Sequence, residues 1–215
     1  MPFFDQPGQP RQHKPWPMKW VVLSIAIFIV GYTWIRVKYS KPGPSYEPYQ
    51  DTIDRMTVER LLSSGYQRFD APAEVPADSV RSLVLGSSSP APVAVSRGGI
   101  PSEINVALIQ KPALADAIDT VLAPSTGPIH GTYRILFVAT LPDARHTAAA
   151  ATVFRRGRDL TIIPGWERIE GRLQARSRSA AVLVSIPTGS LPAGDYRATV
   201  VGARSSRSWT VDLRQ

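Results

Sequence analysis

The chain has 215 residues, 25 Lys+Arg against 17 Asp+Glu, 20 Pro, 15 Gly and no Cys, which suits one modest domain with appendages or two small ones. Its 43% apolar content excludes wholesale disorder, and the absence of Cys excludes a disulfide framework, thiolate metal ligation and a cysteine nucleophile. The net charge of +8 divides into +5 over residues 1–41, −4 over 42–133 and +7 over 134–215.

Residues 1–19, with five Pro and no apolar period, are expected to be a flexible basic tail. The run Trp20–Ile35, WVVLSIAIFIVGYTWI, is uncharged for sixteen residues, about 24 Å of helix against a hydrocarbon core of ~30 Å. Lys19 on one side and Arg36 and Lys38 on the other extend it by snorkelling. Trp16 and Trp20 at one end, and Tyr32 and Trp34 at the other, have the placement of headgroup-level aromatic belts. These seven residues are the expected membrane anchors of a transmembrane helix over 20–38, with the lipid bilayer as first partner. The bulky, basic YTWIRVKYSKPGP that follows lacks a signal-peptidase pattern, so the helix is expected to stay uncleaved. Lys and Arg balance across the span. The expectation is a bacterial inner (cytoplasmic) membrane protein with a cytoplasmic N-terminus and a periplasmic C-terminal domain.

Residues 39–70 read as a juxtamembrane Pro/Tyr segment followed by a short amphipathic helix. Asp51 or Thr57 caps it, Ile53, Met56, Leu61 and Leu62 lie near one face, and Gly65 stops it. The stripe is read first as a brace packed on the domain, and alternatively as a docking face for a membrane partner. Residues 71–79 are expected as a linker, 86–92 as a loop, and 71–215 as a β domain.

Within that domain, 79–85, 92–96 and 103–110 are strand candidates. The segment KPALADAIDTVL is expected to be helical, because Leu114, Ile118, Val121 and Leu122 recur at helical spacing after Pro112. In TYRILFVATL, Tyr133, Ile135, Phe137, Ala139 and Leu141 share one face of a strand. ATVF and DLTII flank a hairpin tip at Arg155–Arg158. From 168 to 178, Arg168, Glu170, Arg172, Gln174, Arg176 and Arg178 alternate with small or apolar residues, the mark of a strand with one solvated face. Strands 180–187, 196–202 and 208–213 close the chain, the last two as an antiparallel hairpin. Short strands with frequent turns give the expected class: mainly β, an N-terminal transmembrane helix followed by an immunoglobulin-like antiparallel β-sandwich with one or two short helices.

Templates for chemistry fail. The chain contains no GxGxxG, Walker loop, HExxH or GxSxG. His13, His130 and His146 are scattered, as are Met1, Met18 and Met56, so neither a cofactor nor a metal centre is expected. Glu167 and Glu170 point to opposite faces of a strand. The expectation is a non-enzyme that binds or scaffolds a membrane protein complex. One alternative is an envelope hydrolase or isomerase using His130 or His146. Another is binding of anionic lipid or polysaccharide by Arg155, Arg156, Arg158, Arg172, Arg176 and Arg178. Nucleic acid is not an expected partner.

The order of parts, with Lys14-Pro15-Trp16-Pro17 in the tail and Leu191-Pro192-Ala193-Gly194-Asp195-Tyr196 before the final strands, resembles FixH-type proteins. These are single-span accessory proteins of bacterial respiratory oxidases. The resemblance implies an accessory or assembly role in the envelope, with no ligand residues to carry over.

Overall fold

A computed structural model describes residues 17–39, 48–76, 81–86, 88–169, 175 and 177–214. The chain separates into two units, Met1–Pro48 and Tyr49–Gln215.

In the first unit, helix α1 spans Met18–Tyr39. Its uncharged centre contains no Pro, and the backbone is satisfied internally as a bilayer would require. The stretch Met18–Arg36 is long and apolar enough to cross a membrane, and none of it is buried within the unit. At 19 residues it is about 28 Å long. Phe28 and Tyr32, one turn apart, stack at 6.2 Å. Lys38 folds back so that its ammonium lies 4.7 Å from the Trp34 ring centroid, a cation–π contact at i, i+4 spacing.

The second unit is mainly β. Helix α2 (Pro48–Ser63) is followed by β1 (Gln67–Ala71), β2 (Ala73–Glu74), α3 (Arg81–Leu85), β3 (Ala94–Arg97), α4 (Ser102–Ala107), β4 (Ala117–Leu122) and β5 (Thr126–Pro128). Then come the longer strands β6 (Thr132–Thr140), β7 (His146–Arg156), β8 (Asp159–Arg168), β9 (Ser179–Pro187), β10 (Gly194–Val200) and β11 (Ser205–Arg214).

All strands join one sheet in the order β1-β7-β8-β10-β11-β4-β6-β9-β2, with β3 and β5 attached to β11. Because β1 and β2 are consecutive, the two ends of the sheet meet. Ala71 pairs with Ala151 of β7, while Ala73 pairs with Val184 of β9. Between them, the Pro72 carbonyl accepts from Ser185 N–H at 2.9 Å. The sheet is thus nearly closed, and the two separate layers of an immunoglobulin-like sandwich are not confirmed. Nor is the sheet wholly antiparallel, since β8 runs parallel to β10, and β11 parallel to β4 and β5. The expected linker over 71–79 contributes the strand residues that join the sheet ends.

The alternating strands are where the pattern put them. Tyr133, Ile135, Phe137, Ala139 and Leu141 are all buried, as are Tyr196, Ala198 and Val200 of β10 and Trp209, Val211 and Leu213 of β11. The β7–β8 hairpin turns at Gly157, whose φ of 59° lies in the left-handed region that a two-residue turn demands. Of the alternating run 168–178, residues 170–174 and 176 lie outside the described residues.

Three local expectations are corrected. Residues 117–122 form a strand rather than a helix: a register shift between Ile118 and Thr120, where β4 pairs with β6, breaks the period of two and leaves apolar residues at helix-like spacing. Conversely, α3 falls within 79–85, and α4, starting at Ser102, covers the first half of 103–110. In α4, Ile104 and Ala107 are the buried pair, one turn apart. Six residues are too few for that period to outweigh β-prone Ile and Val.

The core has two layers. Inside the sheet, Ile118, Ile135, Phe137, Val153, Ile162, Val184, Tyr196 and Trp209 belong to one cluster. Outside it, Leu61 of α2 and Ile104 and Ala107 of α4 pack on Phe154, Ile163 and Val201. Neighbouring residues Val153/Phe154 and Ile162/Ile163 therefore face opposite layers, so β7 and β8 are apolar on both sides at this point.

Candidate functional site

Helix α2 organises the most feature-rich surface of the second unit. Ile53, Thr57 and Leu61, at i, i+4 and i+8, are buried at 7%, 5% and 1% exposure. The Thr57 hydroxyl, on this apolar face, donates to the Ile53 carbonyl at 2.8 Å, which satisfies it. Leu61 closes against Tyr66 through a Schellman end: Tyr66 N–H donates to Leu61 O at 2.8 Å and Gly65 N–H to Leu62 O at 3.0 Å, with Gly65 at φ 76°.

The four expected docking residues consequently divide. Ile53 and Leu61 brace the domain, whereas Met56 (43%) and Leu62 (61%) are exposed. Leu62 lies one turn beyond exposed Val58, and both line a cavity of about 570 Å³ beside β1, with Phe69 and Arg68 on the opposite wall. At the C-terminal end of α2 a polar cluster ties three elements together. Tyr66 Oη donates to Glu103 Oε2 at 2.9 Å, the Arg156 guanidinium donates to the same carboxylate, and its plane sits 5.3 Å from the Tyr66 ring. Burial raises the Tyr66 phenol above its ordinary value, although its bond to Arg156 opposes this.

The hairpin-tip arginines are engaged within the fold. Arg155 donates to Gln67 Oε1 at 2.9 Å. Arg158 donates to Ala193 O at 2.7 Å and covers the Tyr196 ring at 5.1 Å, holding the Leu191–Tyr196 turn, where Tyr196 Oη also donates to Pro192 O. Arg178 reaches Leu141 O and, at 3.1 Å, Asp116. Arg172 and Arg176 lie outside the described residues, so the structure brings no six-arginine surface together among those it describes.

His130 is exposed. His146 pairs with Asp143, Nδ1 to Oδ1 at 2.7 Å, and the same oxygen accepts the Arg145 N–H at 2.8 Å. The backbone bond first, and the imidazole second, hold Asp143 below the usual carboxylate range. The geometry is that of an exposed turn preceding β7. Neither histidine lines the cavities beside α2. Among the described residues no group of three or more His, Asp or Glu is placed to hold a metal.

On α1, Trp20, Tyr32 and Trp34 are exposed at 63%, 55% and 61%, as are Lys19, Arg36 and Lys38. Trp16 lies outside the described residues. Tyr66, Arg68 and Glu103 were not singled out from the sequence. Tyr66 and Glu103 meet each other and Arg156 from segments dozens of residues apart, and the only local sign was a lone Tyr directly after the helix-stopping Gly65. Comparison of the chain with protein-family models, with curated proteins and with solved structures finds no match in any of the three.

Proposed function

We propose that this chain is a membrane-anchored, non-catalytic envelope protein. In this reading α1 crosses the inner membrane with the N-terminus cytoplasmic, and a barrel-like β domain in the periplasm binds or scaffolds a membrane protein complex. The FixH-type resemblance supports an accessory or assembly role in a respiratory complex. The observation that carries the reading is the division of α2. One face is consumed by the domain core, while Val58 and Leu62 remain exposed along a groove, which is the character of a recognition edge.

Topology is tested with C-terminal alkaline-phosphatase and fluorescent-protein fusions to the full chain: phosphatase activity without fluorescence is expected, and the reverse overturns the orientation. Docking is tested with photo-crosslinking residues at Leu62 and, as a control, at exposed Thr210. A discrete adduct with a membrane protein from Leu62 alone is expected. No adduct, or equal adducts from both positions, overturns the docking reading. The hydrolase or isomerase alternative has one geometric support, the His146–Asp143 pair, but Arg145 N–H shares that carboxylate in a turn.

A further inference from the structure

Between the N-terminal half of α2 and the β7–β8 ribbon lies a cavity of about 260 Å³, near the lower limit for small-molecule sites. Its apolar floor is Ile53, Leu108, Phe154 and Ile163, three of which are buried. Thr152, Pro164 and Gly165 of its lining lie at a local irregularity in the ribbon. The β7–β8 register shifts between Ala149 and Thr152, and opposite it β8 carries Pro164-Gly165. Gly165 cannot gain a side chain, because a Cβ there would run into the Ala150 carbonyl oxygen. Bulges of this kind recur beside binding sites.

Charged groups converge on the floor from three segments. Arg68 of β1 and Lys111, from the chain after α4, supply two cations, and Asp54 of α2 supplies one carboxylate. Arg68 is only loosely engaged, its Nη2 lying 3.9 Å from Asp70. Lys111 makes no ion pair among the described residues. Within the lining two cations stand against one acid, Asp70 beside Arg68 lying outside it, and above the hydrocarbon floor they match a single negative charge attached to a short apolar chain.

We propose that this cavity binds a small amphiphilic monoanion, a short-chain carboxylate. Its oxygens face Arg68 and Lys111 and its hydrocarbon lies on Ile53, Leu108, Phe154 and Ile163. Charge-assisted bonds fix the head, burial of apolar surface holds the tail, and Asp54 selects against di- and trianions. This site shares Arg68 with the groove beside Val58 and Leu62 but takes neither of those two residues.

The probe is hexanoate, titrated into the full chain in nanodiscs with labelled isoleucine methyls, and hexylamine is the matched cation. Saturable shifts are expected at Ile53 and Ile163 but not at Ile135 inside the sheet. Lys111→Gln weakens hexanoate about tenfold, Asp54→Asn tightens it, and hexylamine gives no saturable shift. The site is overturned if hexanoate produces no saturable shift or if hexylamine binds equally. It is also overturned if both Lys111→Gln and Arg68→Gln bind hexanoate like the unaltered chain.

Discussion

Tyr133 shows how single side chains hold this fold. Its hydroxyl accepts from Trp209 Nε1 at 2.9 Å and donates to the Pro124 carbonyl at 2.7 Å, so one buried oxygen satisfies two groups from distant segments. Tyr133→Phe leaves both unpaired and is expected to cost about 1–3 kcal/mol by urea denaturation. Burial raises the Tyr133 phenol well above its ordinary value of 10.0. The folded state therefore keeps a proton that the unfolded chain loses above about pH 10. Stability from this residue is complete below that pH and declines as pH rises further. An alkaline denaturation series should show this decline, and Tyr133→Phe should flatten it. The hydroxyl's two partners are contributed by residues 124 and 209, which no local pattern connects to 133.

At the scale of elements, α2 divides stability from recognition. Leu61→Ala is expected to destabilise the second unit by about 2–5 kcal/mol, since it opens the layer shared with Ile104 and Phe154. Leu62→Ala, one residue on and 61% exposed, should change it by less than ~0.5 kcal/mol. Gly65→Ala forces a Cβ into the left-handed region and should cost about 1–2 kcal/mol; thermal unfolding of the three variants separates these effects. Gly65 as a helix stop was legible locally. Which flank of the helix would be buried was not, because Ile53, Met56, Leu61 and Leu62 are equally apolar. The choice among them came from the position of α4 and the outer face of β7. Helix α1 carries a parallel expectation. Ile27→Arg at the centre of the span should raise the cost of insertion by about 2.5–3.5 kcal/mol and lower the fraction retained in carbonate-washed membranes.

At the scale of the whole molecule, the short run from Gln67 to Glu74 brings the two ends of the sheet together. Ala71 is fully buried, leaving no room or partner for a charge. Ala71→Asp should cost on the order of 3 kcal/mol or more. Hydrogen exchange should report it first at Ser185, whose N–H is bound to the Pro72 carbonyl. Protection at Ser185 unchanged by that substitution would show that β9 does not depend on it. Pro72 and Pro76 made this run resemble a linker, since Pro breaks a strand pattern. The break is real, and it is where the chain passes from pairing with β7 to pairing with β9.

The amino-acid order alone determined the uncharged helix of α1 and the period-two strands β6, β10 and β11, together with the turns at Gly65 and Gly157. Each depends on neighbours a few residues apart, through backbone conformation and the alternation of faces. Only the tertiary structure decided that 117–122 is a strand, that the strands join into one nearly closed sheet, and that Tyr66, Glu103 and Arg156 meet. Those outcomes depend on hydrogen bonds and burial supplied by remote segments. A local spacing of apolar residues cannot distinguish between the partners that will cover it.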